Sequence, residues 1–280
     1  MHPLASSNLN IGLVGAGRMG SALVRGWTSA GVPRERILVH DSNPDAAVDL
    51  SACAADLQSV TRTDVLVLAV KPPTIPHILA RLCELHNREG AAPGLLVSIA
   101  AGIPLARLRA LAPSFPAPIV RAMPNTPAAV GMGLTTLAAG PDATDDQRQL
   151  ATHLFSALGT AILLDREEDM HATTAVAGSG PAFLFTLAEA LADAAVAEGL
   201  PRILARTLAA HTIQGAGALL CADGITSSPA DLKDAVASPA GTTIAGLLML
   251  ENGRFRATAI DAVRAAAARS RDLASGDGQE

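Results

Sequence analysis

The residues able to do chemistry gather in a few short segments. Gly15-Ala16-Gly17-Arg18-Met19-Gly20 spaces three glycines between an apolar run ending in Val14 and a stretch with helical periodicity. In such a loop the first glycine permits a tight turn, and the second lets a pyrophosphate approach the backbone. The third lets the following helix pack on the strand. The phosphates then meet free N–H groups at a helix N-terminus. An ordinary glycine turn is the plainer reading of such a chain. The flanking strand and helix, and Asp41 about 20 residues on, argue for a dinucleotide site. Asp41 suits ribose hydroxyls and repels a 2′-phosphate. Ser42 and Asn43 can donate to that phosphate, and neither position carries an arginine, so these residues leave NADPH and NADH both open.

Ala69-Val70-Lys71-Pro72 closes an apolar run, where ligands of open α/β sheets collect. Lys71 and Lys233 are the only lysines in the chain; the plain alternative for Lys71 is a solvated loop cation. Ala100 and Ala101 end the next run with side chains small enough for a ribose or nicotinamide to reach the main chain. Asn125 and Thr126 offer donors and acceptors in a turn stiffened by Pro124 and Pro127. In the second half, Gly178-Ser179-Gly180-Pro181 precedes a strongly apolar helix; a simple interhelix turn accounts for it equally well. Ser238-Pro239-Ala240-Gly241-Thr242-Thr243 brings hydroxyls, a glycine and a helix start together. It forms a carboxylate receptor that needs no basic residue.

These segments must be positioned by regular elements. Apolar runs at 9–14, 37–40, 65–70, 95–99, 118–121, 134–138 and 160–164 read as strands. A helix is expected over 21–30, and another over 145–158, capped by Thr144 and ended by Gly159. This alternation predicts a doubly wound α/β domain over residues 1–165. After Asp165 only helices are expected, over 181–198, 201–221, 229–237, 242–251 and 254–274, in a second domain of residues 166–280. Helices apolar nearly all round, as at 183–191 and 244–250, need more neighbours than ~110 residues provide. A partner subunit would supply them. The tail from Ser275 reads as frayed, and the first seven residues as a short disordered leader.

Apolar residues make up 49% of the 280 and charged residues 17%, which suffices for a sizeable core. Aromatics at 2% favour close-packed helices over a β-sandwich. A net charge of −5 without a basic run excludes nucleic-acid binding. Cys53, Cys83 and Cys221 are too scattered for a disulfide framework or a metal site. They read as free thiols of a cytoplasmic protein. No apolar stretch approaches the ~20 residues that span a bilayer, so no membrane partner is expected. The chain has no tyrosine, which removes a Tyr–Lys dehydrogenase mechanism. A β-hydroxyacid dehydrogenase would want a lysine early in the second domain, whereas Lys233 lies late. A non-catalytic dinucleotide sensor would not need the receptor at 238–243.

Taken together, these segments resemble the pyrroline-5-carboxylate reductases. Asp231-Leu232-Lys233-Asp234 followed by residues 238–244 looks like that family's signature. The segments at 69–72, 121–127 and 178–183, and the glycine loop with Met19, are similar to its other motifs. The resemblance spans about residues 10–270. It implies a Rossmann domain joined to an all-α dimerisation domain, a homodimer or an oligomer of dimers, and NADPH as cofactor with NADH as the alternative. The substrate it implies is a small cyclic imine bearing a carboxylate, reduced to proline. Ser238, Gly241, Thr242 and Thr243 would hold that substrate, with the Thr243 hydroxyl beside the ring nitrogen as the catalytic group. Glu167 would contribute an acidic side chain. The glycine loop with Val14, Asp41 and Ser42, residues 69–72, Ala100, Ala101 and Asn125 would hold the cofactor. The chain departs from the family at Ala240, where a second glycine is common, at Ala235 and at His171.

Overall fold

A computed structural model describes all residues except 1, 7, 44, 47–49, 51, 223–225 and 276–280. The expected fraying of the tail beyond Ser275 lies outside the described residues. The chain divides into two compact units, one of residues 1–178 with 266–280 and one of residues 179–265.

The first unit is built on an eight-stranded sheet. Its strands are β1 (Ile11–Val14), β2 (Ile37–His40), β3 (Cys53–Ala54), β4 (Val65–Leu68), β5 (Leu95–Ser98), β6 (Ile119–Met123), β7 (Gly133–Ala139) and β8 (Gly159–Leu163). They run in the order β3-β2-β1-β4-β5-β6-β7-β8. The first six follow the dinucleotide-binding order of doubly wound sheets. All neighbours are parallel except β6 and β7. Ile11 pairs with both Ile37 and Val65, and Val65 with Leu95. The carboxyl ends Val14, His40, Leu68 and Ser98 therefore share one edge. Strands β1, β4 and β5 are buried along their whole length, because helices cover both faces of the parallel sheet.

The two-residue period divides each strand between two cores. Val65 and Val67 face one core with Leu23, Trp27, Leu154 and Phe155. Leu66 and Leu68 face the other with Ile75, Leu79, Leu82 and Phe115. Trp27 is fully buried, and its ring N–H donates to the Leu154 carbonyl at 2.9 Å, so the indole's one polar atom is satisfied. Helices α1 (Arg18–Ser29), α2 (Leu57–Thr61), α3 (Ile75–Glu89), α4 (Leu105–Leu111) and α5 (Asp145–Ser156) connect the strands. Thr144 caps α5 as expected, in a reciprocal pair with Gln147.

Some expectations need correction. Gly159 does not end α5, whose cap is Ala157. It starts β8 at φ 136°, so close to Gly133 that a Cβ would lie 2.2 Å from the Gly133 carbonyl oxygen. Nor do residues 2–6 form a disordered leader. Pro3–Ser6 makes a 3-10 turn that buries Leu4 in the first core, and His2 bonds the Ser156 hydroxyl at 3.1 Å. Strand β3 escaped the sequence reading because two residues carry no period.

Among the described residues, every element after β8 is helical. Glu167–Asp169 leads into α6 (Met170–Thr173) and then a π-helical turn, Thr174–Gly178. The second unit holds α7 (Gly180–Ala197), α8 (Arg202–Leu220), α9 (Pro229–Val236) and α10 (Thr242–Asn252). The last helix, α11 (Phe255–Ser275), begins there and ends in the first unit. Its buried residues Ala267 and Ser270 belong to the first unit. Helices α7 and α8 pack through Ala192, Ala205 and Ala209. By length and composition the helical run Glu167–Ala197 is apolar enough to cross a membrane. The expectation that no stretch reaches that length is therefore wrong. Alanine-rich turns keep the mean hydropathy high although Glu189 and Asp193 interrupt the run.

Candidate active site

The glycine loop hangs between two strand ends. The Gly15 N–H donates to the His40 carbonyl at 2.8 Å, and Ala69 N–H to the Val14 carbonyl at 2.7 Å. Each glycine answers a different constraint. Gly15 sits at φ 102°, and a Cβ there would lie 2.7 Å from the Ala69 carbonyl oxygen. A Cβ on Gly20 would lie 2.0 Å from the Gly15 carbonyl oxygen, so only glycine lets α1 pack this close to the turn. A Cβ on Gly17 would meet nothing within 4 Å. Its surface is open, and α1 starts there without a side-chain cap. The first-turn N–H groups thus lack a side-chain cap, as at helix N-termini that bind anions.

Asp41 stands at the end of β2 and ties the loop in place. Its Oδ2 accepts the Ala16 N–H at 2.6 Å, and its Oδ1 accepts the Asn43 N–H at 2.8 Å. The Ser42 hydroxyl donates to the same Oδ1 at 3.4 Å. The residues expected to bind cofactor therefore meet at one sheet edge. Val14 is 2% exposed, so its side chain belongs to the core and only its backbone shapes the loop. Ala69 and Val70 pack on the two cores, and Lys71 is exposed. Ser98 is fully buried with its hydroxyl accepting the Ala100 N–H at 3.3 Å; Ala100 is buried and Ala101 exposed.

Asn125 and Glu167 also make hydrogen bonds within the protein. Asn125 is buried, with Oδ1 accepting the Leu134 N–H at 2.9 Å and Nδ2 donating to the Ala177 carbonyl at 3.0 Å. Glu167 Oε1 accepts from Arg121 Nη1 at 2.8 Å and from the Leu105 N–H at 2.9 Å. Arg121 is only 3% exposed, and a guanidinium at that depth requires such a partner. The sequence reading missed this pair, because nothing in the spacing of residues 121 and 167 links them. Nearby, His171 bonds the Ser270 hydroxyl at 2.9 Å. Burial lowers its pKa, and the guanidinium groups of Arg121 and Arg271 lower it further, against Glu167 and Glu168.

In the second unit the loop before α10 has the expected build. The Gly241 N–H donates to the Ser238 carbonyl at 3.0 Å, closing a turn that brings the Ser238 hydroxyl back over the helix start. A Cβ on Gly241 would lie 2.3 Å from Ser238 Oγ and 3.1 Å from the Ser238 carbonyl oxygen, so a larger residue here would push the Ser238 hydroxyl aside. Ala240 adopts φ 58°, a left-handed conformation that costs an L-residue about 1 kcal/mol. That is the physical reason a glycine suits the position. Gly241 caps α10 without a side-chain bond, which leaves first-turn N–H groups without a capping acceptor. Ser238 is exposed and Thr243 half-buried in that first turn. Lys233 pairs with Asp234.

Known proteins share this build. Residues 167–273 match a family model described as pyrroline-5-carboxylate reductase dimerisation, and residues 10–102 match one described as NADP oxidoreductase, coenzyme F420-dependent. A pyrroline-5-carboxylate reductase of Pisum sativum is 39% identical over 277 residues, covering 97% of this chain and 98% of its own. One of Methanosarcina acetivorans is 42% identical over 274 residues, covering 95% of this chain and 98% of its own. Among solved structures, a pyrroline-5-carboxylate reductase from Coxiella burnetii superposes with a TM-score of 0.87 at 32% identity. It covers 95% of this chain and 99% of its own. A Plasmodium falciparum pyrroline carboxylate reductase with NADP bound gives 0.81 at 29%, covering 95% and 98%.

Proposed function

Because this chain belongs to the pyrroline-5-carboxylate reductase family, we propose roles for its own side chains in reducing 1-pyrroline-5-carboxylate to L-proline with NAD(P)H, the last step of proline biosynthesis. The observation that carries this reading is likeness over 97% of the chain, through both the glycine loop and the 238–243 loop. The enzyme works as a homodimer or an oligomer of dimers through its helical segment.

The residues present fit a dinucleotide. Gly17 leaves its face open, α1 is uncapped, and Ala100 and Ala101 add no bulk at the same sheet edge. When bound, the dinucleotide supplies the hydride. The chain supplies binding, orientation and exclusion of water. The α10 N-terminus and the Ser238 hydroxyl hold the substrate carboxylate, with Gly241 and Thr242 giving backbone donors. The Thr243 hydroxyl accepts from the protonated ring nitrogen and so turns the imine face. A protonated imine is already an electrophile, so no strong acid is needed; its C=N electron pair ends on nitrogen as the new C–H bond forms. Thr243 serves orientation first and relays a proton from water second. Positioning of this kind is worth ~7–11 kcal/mol. Glu167 contributes an acidic side chain to the substrate site, and its Oε1 holds Arg121 at β6.

We divide the functions at residue 165, with cofactor binding in residues 1–165 and dimerisation with substrate binding in residues 166–280. Three free thiols suit a cytoplasmic location. The test is loss of nicotinamide absorbance with pyrroline-5-carboxylate set beside 2- and 3-hydroxy acids. Turnover on the cyclic imine alone is expected. Turnover on a hydroxy acid with none on the imine would favour the β-hydroxyacid dehydrogenase reading, and no turnover on either would favour the sensor.

A further inference from the structure

Two motifs far apart in sequence meet at one carbonyl. In a continuous helix the Ala177 carbonyl would accept the N–H four residues on, but that residue is Pro181, which has none. Five residues on, the Ala182 N–H is already given to the Ser179 carbonyl at 3.0 Å. The Ala177 carbonyl is thus left over by the Gly178-Ser179-Gly180-Pro181 sequence, inside a π-helical turn. Such turns mark functional sites more often than chance. Asn125 supplies the missing donor from the loop after β6, at 3.0 Å. Its Oδ1 meanwhile holds the Leu134 N–H at the start of β7 at 2.9 Å. An N–H faces Oδ1 and a carbonyl faces Nδ2, so the amide orientation is the one that satisfies both partners. Its own carbonyl accepts the Ala128 N–H at 3.2 Å, and the residue is 8% exposed.

We propose that Asn125 is a positioning residue for the reduction, replacing the N–H that Pro181 lacks and thereby fixing the carboxyl end of β6 against the 174–178 turn. This rests on the reductase reading above. Ligands of open α/β sheets collect at that edge, and a shift of about 1 Å there is enough to cost a reaction a hundredfold. The Met123 side chain also reaches the turn, its methyl 3.5 Å from where a Cβ on Gly178 would be. The hydrogen bonds of Asn125 go to Leu134, Ala177 and Ala128, and none of them to the phosphate cradle at residues 15–20. Disturbing Asn125 should therefore slow turnover while cofactor binding stays intact.

Asn125→Asp keeps the acceptor for Leu134 and sets a carboxylate oxygen against the Ala177 carbonyl. At about pH 8 its kcat should fall about tenfold or more, with the NADPH Kd, read by fluorescence, within about twofold. On acidification the buried carboxyl takes a proton and its O–H can donate to Ala177, so kcat relative to wild type should recover. A raised Kd with unchanged kcat would make Asn125 a cofactor ligand and overturn the proposal. So would a kcat loss that acid does not relieve. Amide exchange gives a readout without turnover. Residues 174–178 should exchange faster in Asn125→Asp while Leu134 stays protected. In Asn125→Ala both should loosen, and adding Pro181→Ala, which restores an N–H for Ala177, should re-protect the turn. Unaltered exchange in all variants would contradict the clip. Wild type inert on the imine would instead count against the reductase reading and leave the exchange result to judge the clip.

Discussion

The two units bury different things. In the sheet-bearing unit the largest side chains, Trp27, Phe115 and Phe155, are all sealed from solvent. Among the described residues of the helical unit 179–265, the buried hydrophobic cluster is three alanines, Ala192, Ala205 and Ala209. There Phe185 is 67% exposed, Ile203 83% and Met249 69%. An exposed apolar surface on this scale belongs to an interface. The first unit specifies its own core, and the second is completed by another copy of the chain. The same contrast holds for the sites. The proposed cofactor cradle is set by backbone approaches at Gly15 and Gly20 that only glycine allows. The proposed carboxylate receptor is a single turn leading into α10.

The largest expected effect would break that contrast at the interface. Phe185→Glu sets a charge where a partner's apolar surface should lie, which costs about 3–5 kcal/mol when the charge is buried and unpaired. The dimer should dissociate in sedimentation experiments and activity should go with it, while the sheet-bearing unit keeps its structure by circular dichroism. A fully active monomer would place the interface elsewhere.

Next in size is Thr243→Ala. It removes one hydrogen bond to a charged group, about 1.5–3 kcal/mol, so kcat should fall about ten- to hundredfold. Ser238→Ala should instead raise KM, and Thr243→Ser should be mild. In all three the cofactor Kd should hold, since the proposed cradle is built from residues 15–20 and not from this loop. Wild-type kinetics in Thr243→Ala would reduce that threonine to a helix-start residue.

How much of this was legible beforehand depended on the range of the signal. The glycine loop, the Thr144 cap and the helices near 180–197, 202–220, 229–236, 242–252 and 255–275 are local patterns, and the sequence displays them. The Arg121–Glu167 pair and the Asn125–Ala177 bond join residues 46 and 52 positions apart; no local period announces them. Asn125 showed as a polar residue in a stiff turn, which is right, but its partners are set by tertiary packing. Leu4 misled for the opposite reason: four residues at a chain end look dispensable until a core is seen to close over one of them.

A smaller effect sharpens the receptor. Ala240→Gly removes a left-handed alanine and should raise stability by about 0.5–1 kcal/mol, read as a higher melting temperature with kcat little changed. The smallest concerns pH. His171 has a folded pKa below its ordinary 6.5 because burial, then Arg121 and Arg271, disfavour its charge. The unfolded chain therefore binds the proton more readily. Stability should be full above about pH 6.5 and decline as pH falls below it. His171→Asn should flatten that decline in urea titrations across the same range; an unchanged slope would assign it to other groups, His2 among them.

In the proposed reaction a hydride passes from the nicotinamide to the imine carbon of a substrate held by its carboxylate. Supplying NADPH deuterated at the transferable position of nicotinamide C4, with pyrroline-5-carboxylate, follows that hydride. Proline should appear in step with cofactor oxidation, carrying a single deuterium at the former imine carbon by mass spectrometry and NMR. Cofactor oxidised without labelled proline, or proline carrying hydrogen from solvent at that carbon, would contradict it.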